Sequence, residues 1–352
     1  MARSCHGPPC GLGWLRGMSE SFLDLGLAPG FETERIRVLV QEAQSVAGQG
    51  AMSVPIGDDA AAFTPPQGHD VVVSSDASVE EVHFRREWMT WETIGYRAVA
   101  AALSDLAAMA ATPIGILLSV ALPPELGVET SVALGHGVGE ALHGHDALLL
   151  GGDLVASPGP VFLDVTVLGH AANPLRRNGV SLGDEVWVTG TLGGAAATIH
   201  DFGVQMEPHP DVRKVFERPC PRLTEARWLV EHLNITAAID VSDGLLRDAR
   251  HLAMASGLAI QIDFDRVPTL PPLESIRKTS SGAQFLLAGG EDYEFLFTAP
   301  AGSVNQVAEL FKIEFGIEIT QIGHAHEGVG VSVYGLDVGD LVDGFDHFGL
   351  SM

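Results

Sequence analysis

The sequence predicts a two-domain α/β protein, and three observations carry that expectation. Apolar runs of strand length alternate with helix-length periodic segments over most of the chain. The alternation breaks once, at residues 171–183, where Asn173-Pro174, Arg176-Arg177 and Asn178-Gly179 read as a linker. The length, 352 residues with 46% hydrophobic residues, suits two hydrophobic cores better than one. The expected division is 1–18, a disordered Gly/Pro-rich extension with Met18 as an alternative start; 19–172, a first α/β unit; and 173–352, a second.

The elements follow in order. Residues 19–50 read as a helical lead-in, with apolar positions at helical spacing over 31–47. Strands are expected at 52–56, before Asp58-Asp59, and at 71–75, before Asp76. Residues 91–111 form an Ala-rich helix stopped by Thr112-Pro113. A strand at 114–122 and a helix at 125–143 come next, and a strand at 147–150 runs into Gly151-Gly152-Asp153. A strand at 161–170 closes the first unit. The second unit starts with a strand at 185–189, a helix opened by Gly193-Gly194, and a Pro-rich loop near Cys220. A helix at 224–233 leads to a strand at 236–240. Ser242-Asp243-Gly244 then opens a helix closed by Gly257, with Asp243 placed to cap it. Strands at 259–264 and 293–298, a helix at 304–315, and strands near 320–322 and 329–334 complete the pattern. A short echo between Ala147–Asp153 and Phe285–Asp292 hints at related halves.

Composition removes several functions. A formal charge of −25 opposes nucleic acid or an anionic membrane as partner. No apolar run reaches the length of a membrane span. The only lysines are Lys214, Lys278 and Lys312, none lies in a glycine-rich loop, and no P-loop motif occurs. The cysteines, Cys5, Cys10 and Cys220, form no CxxC pair, and the start lacks a signal-peptide pattern, so a cytoplasmic location is expected.

The chemistry concentrates in acidic phrases: Gly57-Asp58-Asp59-Ala60, Ser74-Ser75-Asp76, Leu103-Ser104-Asp105-Leu106, Gly151-Gly152-Asp153, Asp240-Val241-Ser242-Asp243-Gly244 and Gly289-Gly290-Glu291-Asp292-Tyr293. Carboxylates gathered in one cleft repel one another unless cations separate them, and Mg²⁺ shared with phosphates is the natural solution. Asp105 is the most telling, because an ionised group inside so apolar a helix needs a partner. A solvent-facing Asp is its alternative reading. Gly151-Gly152-Asp153 and Asp58-Asp59 each also fit an ordinary turn. Arg176-Arg177 could reach phosphates or simply be solvated. His136, His143 and His145 read as surface histidines.

Taken in order, these phrases, with Val82-His83-Phe84, Arg177-Asn178-Gly179, the segment 219–222 and the tail Gly344-Phe345-Asp346-His347-Phe348, resemble the thiamine-monophosphate kinases, a family of the aminoimidazole ribonucleotide synthetase-like superfamily. The resemblance implies that superfamily's two-domain fold of mixed sheets packed with helices. It implies ATP-dependent phosphorylation of thiamine monophosphate to thiamine diphosphate by direct transfer in a homodimer. It implies several Mg²⁺ ions on Asp59, Ser74, Ser75, Asp76, Asp105, Asp153, Asp240 and Asp243, with Asp59, Asp105, Asp153 and Asp240 as the catalytic set. Gly152, Asp153, Arg177 and Ser242 would contact ATP, and His83, Glu291 and Phe345 the thiamine substrate. The chain departs from the family pattern in having Ser75 for Thr, Leu154-Val155 for two threonines, and Phe345 for Tyr. Sibling ATP enzymes of the superfamily are the nearest rivals. The tail Phe348-Gly349-Leu350 lacks the terminal cysteine motif of the hydrogenase-maturation sibling.

Overall fold

The computed structural model describes residues 31–47, 53, 60–336 and 344. The expected strand at 52–56, apart from Ser53, and Asp58, Asp59 and Phe345 lie outside the described residues. The first sheet holds β1 (Asp70–Val79), β2 (Thr112–Leu122), β3 (Leu148–Ala156) and β4 (Phe162–Ala171) in the order β1-β4-β2-β3. Only β2 and β3 run parallel. Helices α1 (Phe31–Ala47), α2 (Trp91–Ala108) and α3 (Val128–Gly144) share one core with the sheet, built on Val99, Leu103, Leu106, Ile116, Leu134 and Val165.

The second sheet has six strands in the order β10-β7-β9-β5-β8-β6. They are β5 (Glu185–Thr189), β6 (Ala237–Asp240), β7 (Ala259–Asp263), β8 (Phe295–Ala299), β9 (Ile319–His326) and β10 (Gly330–Tyr334). Between them come α4 (Gly194–Gly203), α5 (Pro210–Glu217), α6 (Leu223–His232), α7 (Leu245–Ser256), α8 (Ser280–Ala288) and α9 (Ala308–Phe315). Neighbouring β5 residues point to opposite faces, and each face has its own core. Val186 and Val188 join Leu252, Ile260 and Leu286 on one side. Trp187 joins Leu229, Phe297 and Phe311 on the other. The first sheet has no such second cover among the described residues. Val71, Val73, Leu117, Val155 and Phe162 face outward from it and stay exposed, Val73 by 60%.

Local chemistry explains α2. The Thr90 hydroxyl accepts the Thr93 amide at 3.3 Å, giving the helix an N-cap. The helix ends at Ala108, earlier than Thr112-Pro113, which instead begins β2. Pro113 is accommodated there by a register shift between Pro113 and Gly115. The helix is buried on nearly all sides because it also packs against the second unit, where the Leu175 amide bonds to the Met109 carbonyl.

Several expectations are corrected. Gly151-Gly152-Asp153 is no turn, since β3 runs straight through it. Gly152 is needed there because a Cβ would sit 1.9 Å from the Leu118 carbonyl oxygen of the neighbouring strand. Asp76 lies inside β1 and not at its end. Helices α5 and α8 occupy segments where no helix is expected, their signals masked by Pro and Gly. The echo between 147–153 and 285–292 falls on a strand in one case and on a helix end with its loop in the other, so it marks no structural repeat. Among the described residues no helix is long and apolar enough to cross a membrane.

Candidate active site

A strand sends successive side chains to opposite faces, and β1 uses that alternation to split Ser74-Ser75-Asp76. Ser74 and Asp76 point inward to α2, where the Ser74 hydroxyl donates to Asp105 Oδ2 at 2.6 Å. Ser75 points outward and donates to Asp164 Oδ1 at 3.0 Å, beside Thr166 at 3.1 Å. Helix α2 contributes a stripe at positions 97, 101, 104 and 105. The Ser104 hydroxyl on it donates to Asp240 Oδ2 at 2.7 Å. Asp240 is the last residue of β6 and only 4% exposed. One helix thus ties the first sheet to the strand end of the second.

The carboxylates there feel one another. Asp76 is pushed up to about 7, first by burial and then by the charges of Asp105, Asp240 and Glu291. Asp240 is raised to about 6, by burial and then by Asp105. Burial likewise raises Asp105, against the Ser74 hydrogen bond and the nearby Arg177 charge. The solvent-facing reading of Asp105 therefore fails. Groups so close titrate as a set. They are the hard oxygen donors that a divalent cation fits, because ionising all of them without one is costly.

The turn after Asp240 is packed against the segment 289–293. The Glu291 amide bonds to the Ser242 carbonyl and the Tyr293 amide to the Val241 carbonyl, each at 2.8 Å. Gly290 permits this approach, since a Cβ would lie 2.4 Å from the Ser242 oxygen. Glu291 itself sits at φ 67 and is ion-paired with Arg97 Nη2 at 2.9 Å. Asp76, His83, Phe84, Arg97, Glu291 and Tyr293 line one pocket. His83 is held in it by the Val79 amide, which donates to Nδ1 at 3.0 Å.

Asp243 does not cap α7. Gly244 occupies the cap position without a side-chain bond, and Asp248 Oδ2 accepts the amides of Asp243 and Gly244 at 3.1 and 3.0 Å. Asp243 instead pairs with Arg247 at 3.4 Å. Asp243, Asp248 and His251 offer ligand atoms within 4.8 Å of one another. Burial raises Asp248 to about 8, reinforced by Asp240 and Asp243. Arg177 is exposed, but its charge bears on Asp105, Asp240 and His251, so it faces this cleft.

Not every expected residue joins. Asp153 is exposed on the outward face of β3. Asp76 pairs with Val165, Val165 with Leu118 and Leu118 with Gly152, so Asp153 is three strands from Asp76 and on the opposite face. At strand spacing that separation is about 14 Å. Within one chain Asp153 does not reach Asp76. His145 is half-buried and not a surface histidine; burial and Arg222 hold it down at about 4. His136 bonds to Glu42 at 3.1 Å, and His143 is exposed. Arg97, Ser104, Asp248 and His251 were missed. Ser104 adjoins Asp105, and Asp248 and His251 are three apart on one helix face. Arg97 lies two turns before Asp105 on α2.

Comparison with known proteins bears on this arrangement. The AIR synthase related protein N-terminal domain model matches residues 57–171, and the C-terminal domain model matches 182–335. The thiamine-monophosphate kinase of Caulobacter vibrioides is 34% identical over 287 residues, spanning 79% of this chain and 80% of its own. The crystal structure of the Stenotrophomonas maltophilia K279a thiamine-monophosphate kinase superposes with a TM-score of 0.77 at 33% identity, covering 85% of this chain and 96% of that one. A structure of AaThiL complexed with AMPPCP and TMP gives 0.71 at 29% identity, covering 88% and 96%.

Proposed function

The chain belongs to the thiamine-monophosphate kinase family within the AIR synthase related proteins, and from that premise we propose that it transfers the γ-phosphoryl group of ATP to thiamine monophosphate, giving thiamine diphosphate and ADP. The observation that carries this reading is the convergence of Asp76, Asp105 and Asp240 from three elements of both units, beside a pocket holding His83 and Glu291. The relative that binds AMPPCP and TMP together supports it. We take residues 19–172 and 173–352 as the two units whose cleft this is.

Two phosphate anions must meet in an acidic cleft, so charge has to be neutralised. Asp76, Asp105, Asp240 and Asp243, with Ser74, Ser75, Asp59 and Asp153, would hold Mg²⁺, which when bound offsets the charge on both phosphate groups. The remaining work belongs to the chain. An oxygen of the acceptor phosphate forms a bond to the γ-phosphorus in line, and the bond from that phosphorus to the oxygen bridging the β-phosphate breaks, releasing ADP. No protein nucleophile or base is required, because a phosphate monoester is mostly ionised near neutrality. Ser74 and Ser104 fix the orientations of Asp105 and Asp240 through their hydroxyls. Arg177, Ser242 and Gly152 are assigned to ATP. His83, Glu291 and Phe345 are assigned to the acceptor, with a neutral His83 carrying its proton on Nε2 because Nδ1 accepts the Val79 amide.

Asp153 enters through a second copy. The bare apolar face of the first sheet and its open edges β1 and β3 support a homodimer in which two such faces pack together. Joining β1 of one copy to β3 of the other brings Asp153 of the second copy to the strand that carries Asp76, on the face of Ser75. A cytoplasmic location follows from the substrates and the cysteine usage. The test is direct: incubate the purified chain with ATP, Mg²⁺ and thiamine monophosphate and assay for thiamine diphosphate. Product is expected; ADP released only with a different acceptor would overturn the reading.

A further inference from the structure

Arg97 is the one guanidinium among the described residues with a buried nitrogen lacking a hydrogen-bond partner. Its side chain is only 8% exposed. Nη2 is committed to Glu291 Oε2 at 2.9 Å, and the guanidinium carbon lies over the Phe216 ring, 4.0 Å from its centre, so both contacts hold the group in place. Nη1 has no acceptor among the described residues. A buried donor of this kind is costly to leave unpaired. Arg97 and Glu291 line the same pocket as Asp76, Ser78 and His83, against the apolar side chains of Phe84, Met89, Ile94 and Ala98. Apolar walls with a few convergent polar tips suit a flat heterocycle.

We infer that Arg97 is a specificity-determining residue, and that Arg97 and Glu291 together read the hydrogen-bonding edge of the acceptor's aminopyrimidine ring. The pair presents a donor, Nη1–H, beside an acceptor, the Glu291 carboxylate. An aminopyrimidine presents the complement: a ring nitrogen that accepts, next to an exocyclic amine that donates. Nη1 donates to the ring nitrogen while the amine donates to Glu291. The ion pair with Nη2 keeps the carboxylate turned to this task, and the contact with Phe216 helps to hold Nη1 in place. The inference rests on the kinase reading above and adds how that site chooses its acceptor.

The test compares thiamine monophosphate with its 4-oxo analogue, in which an exocyclic oxygen replaces the amine and the ring nitrogen carries hydrogen, so that donor and acceptor exchange places. With the wild-type chain and saturating ATP and Mg²⁺, kcat/KM for the amino acceptor should exceed that for the oxo acceptor by about 10- to 100-fold, the penalty for unpaired buried polar groups. Arg97→Met should raise KM for the natural acceptor and cut that preference to roughly 3-fold or less, leaving KM for ATP unchanged. If Arg97→Met does not fold, Arg97→Lys keeps a cation for Glu291 without the planar fork, and part of the preference should be lost with the same unchanged KM for ATP. Wild-type preference retained in the variant that folds would overturn the role of Arg97, as would KM values for ATP and acceptor rising together. Failure of the wild-type chain to make thiamine diphosphate would overturn the kinase reading itself, and with it this inference.

Discussion

The two faces of the first sheet are built from the same strands but differ in what covers them. The inner face is roofed by α2, and there Asp76 and Asp105 are half-buried: Asp105 is raised by burial and accepts from Ser74, Asp76 is raised by burial and then by Asp105, and Asp240 joins them from the second unit. The outer face carries Ser75, Asp164 and Asp153 among exposed Val71, Val73, Leu117 and Val155, with nothing above it among the described residues. A period of two residues separates these worlds. Motif arithmetic that counts carboxylates along the sequence gathers them into one site; the pleat sends half of the motif to each side. The inner face is a site in one chain, and the outer face becomes part of a site only when a second copy covers it.

The contrast breaks first on activity. Asp105→Asn keeps the shape of the side chain and its place on α2, so the fold should survive while turnover falls on the order of 10³-fold, as when a preorganised charge is removed from a phosphoryl-transfer site. Near-normal turnover in that variant would reduce the inner cluster to a structural feature. The next test asks which copy supplies Asp153. Asp153→Asn and Asp240→Asn should each be inactive alone. Mixed after dissociation and reassociation, half of the dimers are heterodimers with one intact site each, so about a quarter of wild-type activity should return. If Asp153 served its own chain, no site in the mixture would be whole, and activity would stay at the level of the single variants.

Much of the fold was legible because its signals are local. Gly193-Gly194 and Gly257 mark helix ends where the structure has them, and β5 runs over the expected residues. Asp105 could be singled out because a charge in an apolar helix has few explanations. What stayed hidden depends on pairs distant in sequence. The Ser104–Asp240 bond spans 136 residues and the Arg97–Glu291 pair 194, and neither leaves a trace in spacing. Gly151-Gly152 misled because the same dipeptide serves a turn or a close strand approach, and only the neighbouring Leu118 carbonyl decides between them. The acidic residue at Asp243 suggested a cap, yet the capping oxygen comes from Asp248 within the helix.

The smallest expected effect separates the two faces without any substrate. Without bound metal, burial and then the neighbouring carboxylates push Asp76 up to about 7 and Asp240 up to about 6, both above the ordinary carboxylate value of 3.8. Between about pH 4 and these values the folded chain holds protons that the unfolded chain has released, so stability must fall as pH rises through that window, by up to about 1.4 kcal/mol per pH unit for each proton held. Below the window both states are protonated, above it both are ionised, and the contribution is flat. Saturating Mg²⁺ favours the ionised carboxylates and should flatten the slope or reverse it. The general repulsion of an acidic chain has the same sign, so the face-specific part is read from variants. In EDTA, Asp76→Asn should narrow the difference in melting temperature between pH 5 and pH 7.5, whereas Asp153→Asn on the outer face should leave it as in the wild type. Equal slopes in the two variants would mean that burial beneath α2, and not the sheet as a whole, had been given too much weight in setting the inner carboxylates apart.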